Sequence, residues 1–289
     1  MIPFTKGHGL GNDYVVLEER DLPGSLGARA IAMICDRNRG VGSDGILLRV
    51  ASTRADFGLR IFNPDGSEAE KSGNGLRIFA KYLWDRGHAK AETFTVETKG
   101  GVVECQLHVR DGRVNFVTVE MGHATFRAPD IPMNGPDRDV VAVPLQLSDG
   151  SAVRVTAVSV GNPHCVVFVD RLDETECRRV GPLIETHPAF PNRTNVQFAR
   201  AVSRDRLDIL IWERGAGWTL ASGSSSCGAA AAAVRNGLCA AGRVAVHMPG
   251  GELAVHVRPD WSLRLEGPVE EVCTGSLSRE FVDDYVRRQ

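Results

Sequence analysis

The chain has 289 residues, of which 43% are hydrophobic, and its 34 basic and 36 acidic residues give a formal net charge of −2. This length and composition can supply two hydrophobic cores of ordinary size. Because the charges are balanced and spread along the chain, no basic stripe indicates nucleic acid or a membrane surface as a partner. We therefore expect a small-molecule partner, with no nucleic acid and no membrane.

Glycine-rich turns and short apolar runs alternate through the first half, as is typical of strands joined by tight connections. The predicted elements are a turn and strand over Gly9–Glu18, a second over Gly40–Leu48, a strand over Phe57–Phe62, a turn over Asn63–Ser67, and a helix over Leu76–Arg86 that ends at Gly87. Further strands are predicted over Thr93–Val117 and Val244–Leu265. The N-terminal residues lack the apolar segment of a signal peptide, so we expect a cytoplasmic enzyme.

The sequence repeats itself at an offset of 150 residues. Four landmarks recur in matching contexts: Gly11-Asn12 as Gly161-Asn162, Ser72-Gly73 as Ser222-Gly223, Gly87 as Gly237, and Gly100-Gly101 as Gly250-Gly251. Four coincidences at one offset indicate an internal duplication. We predict an α+β fold of two similar, pseudo-symmetric lobes, each a curved, mostly antiparallel sheet around a central buried helix. The lobes are placed at residues 1–119 and 120–267.

Each Ser-Gly pair lies at the predicted N-terminus of a helix, where free backbone N–H groups and the helix dipole favour an anion. Two such sites in a duplicated chain indicate one ligand held from both sides. The second helix is predicted to be buried because Gly228–Val234 presents small residues on every face. Alanine is also simply a good helix former, but an exposed helix would normally carry a polar stripe.

Several polar residues are candidates for contact with the ligand. Asn12 and Asn162 follow glycines at the starts of strands, where asparagine suits a turn by itself, but their duplication favours a matched pair beside a ligand. His164 can accept or supply a proton near neutral pH, although a lone histidine is more often structural. Glu213 and Arg214 precede a glycine-rich loop, and they fit either a surface ion pair or a site for a carboxylate.

Motifs for cofactors and metals are absent from the sequence, which contains no P-loop, no dinucleotide fingerprint and no acidic cluster of metal-ligating type. The seven cysteines are scattered and never spaced as C-x-x-C, so we expect most of them to be reduced and buried. A zwitterionic amino acid could be bound without metal or cofactor by neutral amides, one guanidinium and two helix N-termini. The candidate amides are those of Asn63, Asn74 and Asn195. A hydrolase triad of Ser222, His164 and an acid is an alternative.

Five motifs together resemble those of the diaminopimelate epimerase family, in order and over essentially the whole chain. They are Phe4-Thr5-Lys6 with His8-Gly9-Leu10-Gly11-Asn12-Asp13-Tyr14, Asn63-Pro64-Asp65-Gly66-Ser67-Glu68-Ala69, Ser72-Gly73-Asn74-Gly75-Leu76-Arg77, Gly161-Asn162-Pro163-His164, and Glu213-Arg214-Gly215-Ala216-Gly217. The resemblance implies a cofactor-independent amino-acid epimerase that converts LL- to meso-diaminopimelate for lysine and peptidoglycan precursor synthesis. It also implies a homodimer, and a C-terminal segment, 268–289, that packs back on the N-terminal lobe with a strand and a helix over 275–289.

The resemblance also assigns roles to residues. In this family one thiolate removes the α-proton and a thiol on the opposite face returns one, and these catalytic positions fall on Ser72 and Ser222, with His164 and Glu213 assisting. Substrate binding falls on the side chains of Asn12, Asn63, Asn162, Asn195 and Arg214 and on backbone donors at Gly73, Asn74, Gly223 and Ser224.

Both family cysteines are replaced by serine, whose hydroxyl is far less acidic than a thiol, so the two-thiol mechanism cannot operate as written. Cys227 is five residues, or about 500° of helical rotation, beyond Ser222, and we expect it in the core. Trp218 stands where the family has a carboxylate and is expected to change the pocket's shape and charge. Two alternatives therefore remain open: a non-catalytic amino-acid-binding paralogue, and an isomerase or lyase acting on another small amino or carboxylic acid.

Overall fold

The computed structural model describes residues 1–287 and divides into two compact units. Unit 1 comprises Met1–Val119 and the segment that begins at Gly267, and unit 2 comprises Glu120–Glu266. Of the terminal segment that the resemblance assigns to a strand and a helix, residues 288 and 289 lie outside the described residues. No helix within residues 1–287 is both long enough and apolar enough to cross a membrane.

Most of the regular structure is β-sheet. The strands are β1 (Ile2–Gly9), β2 (Asn12–Glu18), β3 (Ile46–Val50), β4 (Phe57–Phe62), β5 (Glu68–Ala69), β6 (Thr93–Thr98), β7 (Gly101–Arg110), β8 (Arg113–His123), β9 (Val143–Gln146), β10 (Ala152–Ser159), β11 (Pro163–Phe168), β12 (Asn195–Ser203), β13 (Arg206–Glu213), β14 (Gly217–Thr219), β15 (Gly242–Met248), β16 (Gly251–Val257), β17 (Ser262–Pro268) and β18 (Glu270–Leu277). The α-helices are α1 (Ala28–Cys35), α2 (Gly73–Asp85), α3 (Glu174–Glu185), α4 (Gly223–Arg235) and α5 (Arg279–Phe281). Short 3₁₀ turns cover Glu19–Asp21 and Ala128–Asp130, and a π-helical turn covers Val282–Val286.

The two units have the same topology. In unit 1, β1 pairs antiparallel with β2, β2 parallel with β3, β3 antiparallel with β4, β4 parallel with β6, and β6 to β8 follow antiparallel. In unit 2, β10 to β13 and β15 to β17 repeat this sequence of pairings. Each parallel pair is joined by a crossover that contains a helix. The predicted α+β fold with an internal duplication is confirmed.

A serine caps the central helix of each unit. The Oγ of Ser72 accepts a hydrogen bond from the N–H of Gly75 at 3.0 Å, and the Oγ of Ser222 accepts one from Ser225 at 3.5 Å. A serine oxygen at this position satisfies one of the N–H groups that have no partner within the helix. The first of these helices begins at Gly73 and not at the predicted Leu76, because the cap makes a helical turn from a Gly-Asn-Gly segment of low helix propensity.

The central helices are buried within their sheets, as predicted. The helix α2 packs on β1, β2, β7 and β18, and α4 packs on β10 to β13 and on β15 and β16. Ala229–Ala233 are completely buried, because side chains of one carbon let strands approach the helix on several sides. The side chain of Cys227 lies in the same core, and six of the seven cysteines are buried; Cys273 is exposed.

A second core covers the outer face of each sheet. In unit 1, Ile31 and Ile34 of α1 pack with β2, β3 and the terminal residues Val282 and Val286. In unit 2, Cys177, Val180 and Ile184 of α3 pack with residues of β11 to β13. The strand β18 pairs antiparallel with β1, so the terminal segment completes unit 1. That strand begins at Glu270, before the expected start at residue 275.

The tight packing of α4 predicts a large difference between two Ala→Leu substitutions. Ala231→Leu adds three carbons to a completely buried site and should lower the free energy of unfolding by about 1–3 kcal/mol. Ala32→Leu, on the exposed side of α1, should change it by less than about 0.5 kcal/mol. Urea denaturation of both variants tests this, and equal effects would contradict the close approach of strands to α4.

Candidate active site

Four polar side chains form a chain of hydrogen bonds beside the N-terminus of α2. The guanidinium of Arg77 is completely buried and donates to Asn74 Oδ1 at 2.8 Å. Asn74 Nδ2 donates to Asn12 Oδ1 at 3.0 Å, and Asn12 Nδ2 donates to Asp44 Oδ2 at 2.8 Å. Arg77 also donates to the carbonyl of Gly73 at 3.2 Å. The arrangement brings together Asn12, Gly73 and Asn74 as the sequence predicted.

The two ends of this chain determine how its amides point. A guanidinium can only donate and a carboxylate can only accept, so Asn74 must turn its oxygen to Arg77 and Asn12 must turn its nitrogen to Asp44. Asp44 is in turn paired with Arg37 at 2.7 Å. Sequence reasoning missed Arg77 and Asp44. The sequence did contain a signal for Arg77. It lies four residues after Gly73, so on a helix its side chain falls one turn beyond the predicted anion site and on the same face.

The Ser72 hydroxyl has a second partner in Tyr14, which sequence reasoning also missed. The phenolic oxygen of Tyr14 lies 3.2 Å from Ser72 Oγ, and the tyrosine is buried. The available signal was the repeat, since Tyr14 lies 150 residues before the candidate His164. Asn63 is placed differently: its amide donates to Ser67 Oγ at 2.9 Å, and its hydrogen bonds lie within the turn after β4.

In unit 2 a buried network surrounds His164. Its Nδ1 is 3.0 Å from Nε2 of Gln197, which donates, so the ring proton belongs on Nε2, 3.0 Å from Asn162 Oδ1. Gln197 also donates to Ser225 Oγ at 3.0 Å. A Cβ on Gly228 would lie 3.0 Å from His164 Cγ, so the glycine gives the imidazole its room against α4.

This environment opposes the expected role of His164 in moving protons. Burial lowers its pKa to about 3, with a further contribution from the positive charge of Arg214. A neutral ring with so low a pKa is a poor proton carrier near pH 7, because general acid–base groups work best when their pKa is near the operating pH. Both ring nitrogens are engaged by Asn162 and Gln197, so they do not form the hydrolase triad with Ser222. The geometry instead fits a group that orients the Asn162 amide.

The loop after β13 is held by side chains beneath it. Asn195 donates to the carbonyl of Pro163 at 3.0 Å and accepts from the backbone N–H of Arg214 at 3.0 Å. The buried carboxylate of Glu185 accepts from Gly215 N–H at 2.8 Å. Asn195 therefore uses its amide to position Arg214, whose guanidinium donates to a backbone carbonyl at residue 192.

Glu185, which sequence reasoning did not select, has two further bonds. Its second carboxylate oxygen accepts from Trp212 Nε1 at 2.7 Å, and its first is also paired with Arg193. One buried carboxylate thus joins α3, β13 and the Arg214–Gly215 loop. Because a charge buried to this degree must be fully paired, this contact fixes the loop strongly.

The remaining predicted residues lie at the end of β13 and at the N-terminus of α4. Glu213 accepts a hydrogen bond from Thr219 Oγ1 at 3.2 Å. Ser222 caps the helix, and Gly223 and Ser224 form its first turn. Trp218, expected to shape the pocket, packs its ring against the outer core of unit 2, with the guanidinium of Arg178 4.6 Å from its centroid. Within residues 1–287, no three His, Cys, Asp or Glu side chains are grouped to hold a metal ion.

A comparison with known proteins decides the family. Residues 4–127 and 156–272 match the family model described as diaminopimelate epimerase. The chain belongs to the diaminopimelate epimerase family. It is 49% identical over 279 residues to diaminopimelate epimerase 2 of Nostoc sp., covering 96% of each chain. It is 46% identical to a diaminopimelate epimerase of Pelotomaculum thermopropionicum, covering 94% of this chain and 97% of the relative.

The fold has a wider distribution than the family. A crystal structure of a hydroxyproline epimerase from Agrobacterium vitis superposes with a TM-score of 0.68 at 16% identity, covering 96% of this chain and 90% of that one. At such low identity the match shows the fold alone. The family membership that the motifs predicted is confirmed, while the roles of individual residues stay predictions.

The buried neutral state of His164 predicts acid-sensitive stability in this family member. In the unfolded chain a histidine binds a proton below its ordinary pKa of 6.5, but in the folded protein His164 does so only near pH 3. Acidification through this window therefore favours unfolding, by about 2 kcal/mol at pH 5. Urea denaturation at pH 7.5 and pH 5 measures the loss, which His164→Gln should reduce. His247→Gln, at an exposed position, should leave it unchanged; identical losses in all three proteins would refute this account.

Proposed function

We propose that this protein is an amino-acid epimerase that moves the α-proton of diaminopimelate with its own side chains. The observation that carries the proposal is the match to relatives named diaminopimelate epimerase over nearly the full length of both chains. The two helix N-termini with their serine caps support it, since each keeps the local geometry of an anion site. A homodimer and a cytoplasmic location stay predictions, the first testable by analytical ultracentrifugation.

In the proposal, the first turns of α2 and α4 bind the negatively charged groups of the substrate. The serine caps occupy the N–H groups of Gly75 and Ser225, and the N–H groups of earlier residues in each helix have no acceptor within the helix. Those donors belong to Gly73 and Asn74 in α2 and to Gly223 and Ser224 in α4. They are the backbone contacts that the family resemblance assigns to the substrate.

Amide and guanidinium side chains then select the substrate's polar groups. Asn12 and Asn162 are both held by a defined partner, Asp44 in one case and His164 in the other. Arg214 suits a carboxylate because its fork of donors matches two oxygens. Asn195 supports Arg214 through its backbone, and we assign Asn63 a contact made from its turn.

Ser72 and Ser222 are the groups proposed to exchange the proton at the α-carbon, with Glu213 assisting and His164 positioning Asn162. Their position as helix caps supports this, because a hydroxyl at a helix N-terminus lies in the positive field that stabilises a developing anion. A serine hydroxyl needs a further group to take up its proton, since it does not ionise near neutral pH as a thiol can.

Exchange of the α-proton with solvent tests the proposed reaction directly. The purified protein is incubated with LL-diaminopimelate in deuterated water, and both stereoisomers are separated and analysed by mass spectrometry. We expect deuterium at the α-carbon of the product and slow formation of the meso isomer. Tight calorimetric binding of LL-diaminopimelate without deuterium incorporation would instead identify a non-catalytic binding protein.

Restoring both thiols provides a second test. Ser72→Cys together with Ser222→Cys places a more acidic group at each helix N-terminus, and epimerisation should accelerate by about 10²-fold or more. Cys227→Ser, in the core of α4, is the matched control and should produce no gain. A folded double variant that binds diaminopimelate but does not epimerise it would show that the reaction differs from that of the named relatives.

A further inference from the structure

The contact between Tyr14 and Ser72 joins a phenol to the hydroxyl that we propose to face the substrate. Their oxygens are 3.2 Å apart, within hydrogen-bond distance. Ser72 Oγ already accepts a hydrogen bond from the N–H of Gly75. The hydroxyl proton and the second lone pair of Ser72 therefore point in other directions. Tyr14 is 7% exposed, so the contact is largely shielded from water.

The chain provides a specific space for this phenol. Tyr14 lies on β2 and its ring runs across Gly45, just before β3. A Cβ at residue 45 would be 2.7 Å from Tyr14 Cε1 and 2.4 Å from the carbonyl oxygen of Phe62, distances that no side chain can occupy. The glycine therefore permits the ring to reach Ser72, and any other residue would displace it.

The duplicated half has a different arrangement at the same positions. At the offset of 150 residues, Tyr14 corresponds to His164 and Gly45 to Asn195. His164 pairs with Asn195 in the parallel register of β11 and β12, and its two nitrogens are bonded to Asn162 and Gln197. The three tyrosines of the chain, at 14, 82 and 285, all lie outside unit 2. The contact between a phenol and a capping serine is therefore confined to the N-terminal half.

We infer that Tyr14 holds the proton that Ser72 exchanges with the α-carbon of the substrate. The inference rests on the proposed epimerase function and adds the group that a serine-based site requires. A phenol has an ordinary pKa of about 10, which is close to the value of about 8.5 for a thiol and far below that of an aliphatic hydroxyl. Tyr14 thus supplies the acidity that Ser72 lacks.

The proton transfer balances within the pair. When a proton is returned, the electron pair on the α-carbon forms a C–H bond as the Ser72 O–H bond breaks, and Ser72 takes the phenolic proton of Tyr14, leaving a phenolate. When a proton is removed, the C–H electron pair passes into the substrate's carboxylate, Ser72 accepts the proton, and the former Ser72 proton goes to the Tyr14 phenolate. Tyr14 acts through Ser72 and does not touch the substrate.

Tyr14→Phe tests the inference while keeping the ring that fills the space beside Gly45. We expect epimerisation to fall about 10²-fold, the usual effect of losing a general acid–base group. Thermal unfolding should change little, and Tyr285→Phe, on the terminal π-helical turn, is the matched control with wild-type activity. The rate at which the α-proton exchanges with solvent should fall for only one of the two substrate stereoisomers. The reason is that Ser72 serves only one face of the α-carbon. A purely structural defect would slow both.

A second background separates this role from packing. In the Ser72→Cys variant the thiol needs no phenol to become acidic, so adding Tyr14→Phe should cost less than about 10-fold, below the range of a general acid–base group. Equal losses from Tyr14→Phe in the wild-type and Ser72→Cys backgrounds would overturn the inference, as would Tyr14→Phe with wild-type rates. If the wild-type protein exchanges no α-proton, the proposed function fails and this inference fails with it. If the wild-type protein and the Tyr14→Phe variant exchange the α-proton at the same rate, only this inference fails.

Discussion

The N-terminus of a buried helix is the constraint on which both halves of this protein depend. A helix surrounded by sheet cannot leave its first N–H groups to bulk water, and each one left without an acceptor costs roughly 1–3 kcal/mol. Ser72 and Ser222 each supply an oxygen that satisfies one of these N–H groups, that of Gly75 and that of Ser225. The residue at this position therefore has a structural role as a helix cap as well as any chemical role. Serine suits helix capping better than proton transfer.

Duplication has preserved the backbone more closely than the side chains. The pairings of β1 to β4 recur in β10 to β13, and both central helices have the same length. Yet the position that holds Tyr14, a phenol in contact with the serine cap, in one half holds His164 in the other, and the ring nitrogens of His164 are bonded to Asn162 and Gln197. An internal repeat of this kind can keep two helix N-termini of similar geometry while the acid–base properties of the neighbouring side chains diverge.

The sequence predicted the fold through patterns that are local. The offset of 150 residues revealed the duplication, and the alanines after Gly228 indicated a buried helix, because both depend on spacing and residue size alone. Gln197 and Glu185 were not predicted, since each acts through partners distant in sequence. Arg77 was missed although Gly73 and Asn74, to which it donates, lie within one helical turn. The ring of Trp218 packs on the outer core of unit 2, and its effect on the shape and charge of a pocket stays a prediction.

Asn12 and Asn162 are each oriented by a neighbouring group whose facing atom has one hydrogen-bonding role. Asn12 is fixed by a carboxylate that only accepts, and Asn162 by an imidazole that burial keeps neutral, so its Nε2 proton has one acceptor. A protonated His164 would gain a second donor facing Gln197 Nε2, which is itself a donor. A neutral His164 therefore keeps the Asn162 amide in one orientation, because its Nε2–H faces one acceptor and its Nδ1 faces one donor.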